Sequence, residues 1–80
     1  MRNDNLLAFG QRVKYLRKNK GISQEEMAAL AGIDRSYMGH IERGEKNITL
    51  TKIYQISDAL GIDVADLFPR ANADGELSDI

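Results

Sequence analysis

Cysteine is absent from this 80-residue chain, so it holds no disulfide framework, no thiolate chemistry and no zinc–cysteine centre. It has one histidine, and a lone histidine without neighbouring ligands makes no metal site. The opening stretch MRNDNLLAFGQRVKYLRKNK carries charge throughout, and its apolar runs are too short for a signal peptide or a membrane span. A cytoplasmic location is therefore expected. No strand-like alternation and no internal repeat is present. An excess of one charge sign is missing too, because the net charge is −1. Residues 1–68 hold ten Lys/Arg against nine Asp/Glu, whereas residues 69–80 hold Arg70 against Asp74, Glu76 and Asp79. An acidic tail thus masks a near-neutral body. Such a balance neither supports nor excludes a nucleic-acid partner, for which a local basic face suffices.

What is present is one domain at most, with a small core that pairing would help to stabilise. Leu6, Phe9, Val13 and Leu16 recur at helical spacing and predict a first helix over 6–18, with Arg12, Lys14, Arg17 and Lys18 on its other face. Asn19, Lys20 and Gly21 end it. Ser23 and Glu26 have capping-box spacing and open a short second helix, with Met27, Ala28, Leu30 and Ala31 expected inward and Gly32 as its stop. Asp34 is a good cap for a third helix over 35–43, closed by Gly44. Thr49 caps a fourth, with Leu50, Ile53, Tyr54, Ile56 and Leu60 expected inward and Gly61 after it. Asp63 is expected to cap a short fifth helix ending at Phe68, before Pro69 blocks continuation. The expected organisation is an all-α five-helix domain over residues 1–68 and an acidic, flexible tail over 69–80.

The stretch AGIDRSYMGHIERG holds the functional signal. At about 100° per residue, Tyr37, Met38, Ile41 and Glu42 share one arc of the third helix. Arg35, Ser36, Gly39, His40 and Arg43 share the opposite arc. A short helix, a glycine-containing turn and a helix with a polar outer face form the helix-turn-helix pattern. A helix of this kind fits the DNA major groove, and its early residues reach base edges. Arg35, Ser36 and His40 are then free to read bases, while the other arc anchors the helix. A cation at a helix N-terminus opposes the helix dipole, so Arg35 needs a reason other than stability to stand there.

ISQEEMAALAGIDRSYMGHIERGEKNITLTKIYQISDALGI resembles the Cro/C1-type helix-turn-helix family of bacterial and phage transcription regulators, with the match spanning about residues 6–68. DRSY followed by IERGEKNIT is further similar to the controller proteins of restriction–modification systems. The resemblance implies a five-helix, lambda-repressor-like fold that binds a palindromic double-stranded DNA operator as a homodimer. It implies base contact by Arg35, Ser36 and His40, and a base-edge or phosphate contact by Tyr37. Phosphate contacts would come from Gln24, Arg43, Lys46 and Asn47. Gly39 stands where many relatives carry a longer side chain, which removes one possible reader. The inward Glu42 would form a structural ion pair with Arg17 of the first helix. Relatives dimerise through the C-terminal region, which points to Ile62, Val64, Leu67 and Phe68 as a pairing surface.

Ser36, His40 and Glu42 suggest a nucleophile, base and acid, but Glu42 lies across the helix from the imidazole and cannot orient it. No enzyme activity, metal, cofactor, membrane association or small-molecule ligand is expected. The alternative class is an antitoxin-type interaction module that neutralises a partner protein.

Overall fold

The computed structural model describes residues 4–69. Four α-helices are followed by one turn of 3-10 helix: α1 (Asp4–Asn19), α2 (Gln24–Ala31), α3 (Arg35–Glu42), α4 (Leu50–Leu60) and the 3-10 turn (Val64–Leu67). There is no strand among the described residues. Of the expected tail over 69–80, residues 70–80 lie outside them.

The helix boundaries follow from side chains that satisfy orphaned backbone groups. Ser23 Oγ accepts from the Glu26 N–H at 3.0 Å, and Glu26 Oε1 accepts from the Ser23 N–H at 2.8 Å, completing a capping box on α2. Asp34 Oδ2 accepts from the Ser36 and Tyr37 N–H groups at the start of α3. Thr49 Oγ1 accepts from the Lys52 N–H and caps α4. α1 begins two residues before its first apolar position, at Asp4, whose charge suits a helix N-terminus; Arg17 and Lys18 suit its C-terminus.

The expected fifth helix is instead the single 3-10 turn, and Asp63 makes no side-chain cap there. Pro69 supplies the physical reason. A residue before proline is driven out of the α region, and Phe68 sits at φ −100°, ψ 133°. Too few residues remain after Gly61 to build an α-helix before that block. The turn is held from outside by Arg12, whose Nε donates to the Asp66 carbonyl at 3.0 Å.

The core gathers Phe9 and Val13 of α1, Met27 of α2, Met38 and Ile41 of α3, Ile56 and Leu60 of α4, and Leu67. α2 packs on α3 and α4, and α1 packs on α3. Three residues expected inward are exposed: Leu30 (63%), Leu50 (68%) and Tyr54 (50%). Leu30 and Tyr54 each lie more than a quarter turn from the centre of their helix's buried arc, at 100° per residue. Leu50 occupies the first turn of α4, beyond the reach of the core.

Two glycines set the approach of α1 to the end of α3. A Cβ on Gly10 would overlap the Ile41 carbonyl oxygen and stand 2.7 Å from that of Glu42. Gly44 has φ +71°, and a Cβ there would lie 2.7 Å from the Leu7 Cα. Only glycine meets both demands at position 44.

Candidate nucleic-acid interface

α2 and α3 are joined by Gly32, Ile33 and Asp34, with Ile33 buried and its N–H donating to the Ala28 carbonyl. Met38 and Ile41 sink one side of α3 into the core, at 0% and 2% exposure. The opposite side leaves Arg35 and Ser36 exposed, at the helix's first two positions. Among the described residues the Arg35 guanidinium has no hydrogen-bond or ion-pair partner, so its donors remain available.

The register of α3 is locked by an ion pair at its far end. Arg17 donates to Glu42 through Nε at 2.7 Å and through a terminal nitrogen at 3.1 Å. Its other terminal nitrogen donates to the Ile22 carbonyl at 3.0 Å. Both side chains are buried, so the bidentate geometry and the extra hydrogen bond offset a real desolvation cost. Gln24 joins the same cluster, its Nε2 donating to Glu42 Oε1 at 3.1 Å. Gln24 is thereby tied to the α1–α3 contact in addition to standing at the N-terminus of α2.

Tyr37 is half-buried and its hydroxyl donates to the Asn47 carbonyl at 2.8 Å. The Lys52 ammonium lies 5.3 Å from the centre of its ring. Tyr37 therefore fastens the connection from α3 to α4, where Lys46 and Asn47 stand exposed. This connection holds the two loop residues beside the recognition face.

Gly39 differs from expectation. It is buried, not open, because the Arg43 guanidinium folds over it: a Cβ there would stand 3.1 Å from one Arg43 nitrogen and 3.4 Å from Gln24 Oε1. The missing side chain makes room for the arginine. His40 is half-exposed, and its Nδ1 lies 2.7 Å from Glu45 Oε1. Arg43 Nε reaches the same oxygen at 3.1 Å. Hydrogen bonds from His40 and then Arg43 hold the Glu45 carboxyl below the usual carboxylate range. Glu45 escaped the sequence reading, although Gly44 offered a signal. In the Schellman motif after α3, the Glu45 N–H donates to the His40 carbonyl and the Gly44 N–H to the Ile41 carbonyl. That motif commonly sets a hydrophobic pair side by side; here it sets a histidine and a glutamate.

No hydrogen bond joins Ser36 to His40 among the described residues. Among the same residues, no group of three or more His, Asp or Glu is placed to hold a metal ion. Among the described residues, no helix is long and apolar enough to cross a membrane.

The pairing surface needs one correction. Leu67 is fully buried in the monomer core and offers nothing to a partner. The resemblance points to Leu67 as part of the pairing surface, but the 3-10 turn directs it into the core. Ile62 and Val64 pack partly against the core, and Phe68 is 46% exposed.

A helix-turn-helix family model matches residues 13–67, most of the chain and all of α2 and α3. The chain belongs to the helix-turn-helix family of DNA-binding transcription regulators. The helix-turn-helix relatives include control protein C.MunI of a Mycoplasma species, 43% identical over 67 residues that cover 82% of this chain and 90% of that protein. Among solved structures, the restriction–modification controller protein C.AhdI of Aeromonas hydrophila superposes with a TM-score of 0.81 at 47% identity, covering 82% of this chain and all of that one. The biofilm regulator SinR, crystallised in complex with DNA, superposes with a TM-score of 0.70 at 38% identity, covering 74% of this chain and 95% of that one.

Proposed function

We propose that the protein is a controller of a restriction–modification system, binding a palindromic DNA operator as a homodimer and setting transcription by occupying the promoter. One observation carries the reading: α3 is half sunk in the core and pinned by Arg17–Glu42, while Arg35 and Ser36 stand free at its N-terminus. That is the presentation a major-groove helix needs. Similarity to two controller proteins supports the regulated system. Arg35 and Ser36 read base edges, with His40 one turn later. Tyr37 lies at the edge of the contact. Gln24, Arg43, Lys46 and Asn47 grip phosphates and set the register. Residues 1–68 form the DNA-binding unit. The protein works in the cytoplasm, without catalysis or a cofactor.

Selection of bound duplexes from a random library tests this. The expected product is an inverted repeat whose half-site centres lie about one helical turn apart, ~34 Å. Enrichment of a single asymmetric site would remove the dimeric reading. No enrichment at all would remove sequence-specific binding.

A further inference from the structure

We infer that Glu45 determines specificity through His40: it holds the imidazole in the tautomer protonated at Nδ1, so that Nε2 faces the major groove as a hydrogen-bond acceptor. This rests on the reading of α3 as the recognition helix. The 2.7 Å contact between Nδ1 and Glu45 Oε1 requires a proton between the two atoms. An ionised carboxylate can only accept, so the proton sits on the ring nitrogen. Hydrogen bonds from His40 and Arg43 keep Glu45 ionised at neutral pH.

Arg43 excludes the opposite arrangement. One of its terminal nitrogens lies 3.3 Å from Nδ1 and could donate to it only if Nδ1 were bare. Two lone pairs, on Nδ1 and Oε1, would then face each other at 2.7 Å. The guanidinium has a better acceptor in Glu45 Oε1, which Nε reaches at 3.1 Å. One positive and one negative group thus flank the ring on its Nδ1 side. Nε2 has no hydrogen-bond partner among the described residues.

A bare Nε2 accepts from the exocyclic amino groups of adenine and cytosine. It meets guanine O6 and N7, and thymine O4, lone pair to lone pair. Glu45 touches no base in this scheme; it is a positioning residue. It also competes with phosphate for Arg43, so the same carboxylate limits sequence-independent grip.

The chain's single histidine makes the test direct. At about pH 8, above the ordinary imidazole range, ¹⁵N shifts of the ring nitrogens report the tautomer of the full-length protein without DNA. The wild type should show Nδ1 protonated and Nε2 bare. Glu45→Ala, with its fold checked by circular dichroism, should revert to the ordinary Nε2–H form. A wild-type Nε2–H form overturns the inference. In the second arm, the selected operator is varied base by base. The wild type should prefer adenine or cytosine by about tenfold at one position per half-site, and Glu45→Ala should lose that preference while still binding. A preference unchanged by Glu45→Ala, with the operator still bound, overturns the specificity role and leaves the family function standing. Failure of the wild type to bind any duplex would instead defeat the operator reading, and the base preference with it.

Discussion

Arg35 and Lys46 are both exposed cations near α3, yet they are asked to do different things. Arg35 begins the helix, where its charge opposes the helix dipole and its donors have no partner among the described residues. Lys46 lies in the connection after Gly44, beside the Asn47 carbonyl that Tyr37 holds. Arg35→Ala should weaken operator binding by about 1–3 kcal/mol and relax preference at one position per half-site. Lys46→Ala should weaken all sequences alike and shallow the salt slope by about one. Titrations against operator and random duplex at several salt concentrations separate the two. Equal loss on both duplexes for Arg35→Ala would make it a phosphate residue. The exposure of Arg35 and Ser36 was legible from spacing alone, since buried Met38 and Ile41 fix the opposite side of α3. The partnership of His40 with Glu45 was not. It depends on the path of the chain after Gly44, which helical periodicity does not describe. The folding of Arg43 over Gly39 was hidden for a similar reason: a helical wheel gives directions, and a long flexible side chain can leave its own.

At the scale of elements, the angle of α3 is set by its contact with α1. Gly10 lets the α1 backbone close on the last carbonyls of α3. Gly10→Ala should destabilise by about 1–3 kcal/mol or more, because the Cβ meets backbone and cannot be relieved by a rotamer change. The measurement is the urea midpoint at unchanged m-value, and an unaltered midpoint would mean that the two helices stand farther apart. Arg17 and Glu42 act at the same contact. Either alanine strands a buried charge, a loss of about 3–5 kcal/mol. Arg17→Ala with Glu42→Ala should therefore cost less than the two losses added. Strict additivity in urea unfolding would show that the pair is not coupled. The helices themselves were legible because Ser23, Asp34 and Thr49 mark their starts chemically. The misplaced residues are those that periodicity handles worst. Leu30 and Tyr54 sit at the margin of a buried arc, and Leu50 sits in a first turn. The fifth helix failed on a local conflict, where the preference of Phe68 before Pro69 overrode the apolar spacing of Val64, Leu67 and Phe68.

For the whole molecule, the question is how one small domain reaches useful specificity. A single recognition helix covers a few base pairs, too few to compete against many random sites. Two copies on one face of the duplex solve this, provided that their pairing surface lies away from α3. With Leu67 spent on the core, we propose that this surface centres on Phe68. One part of its ring packs on Phe9, with centroids 5.3 Å apart. The exposed remainder borders an apolar groove of about 400 Å³ lined by Leu6, Phe9, Ile48 and Ile53. A half-covered aromatic beside an unfilled apolar groove is a common mark of a protein contact. Phe68→Asp would place a charge on that rim while leaving Val13, Ile56 and Leu67 to hold the monomer. The expected product is a folded monomer that binds an operator half-site weakly, with lost binding partly restored at high protein concentration. Sedimentation at micromolar concentration, with and without operator, checks it. A wild-type protein that stays monomeric in both conditions would remove the dimer. A Phe68→Asp variant that still dimerises would move the interface to another face, where Leu30, Leu50 and Tyr54 are the remaining exposed apolar side chains of α2 and α4.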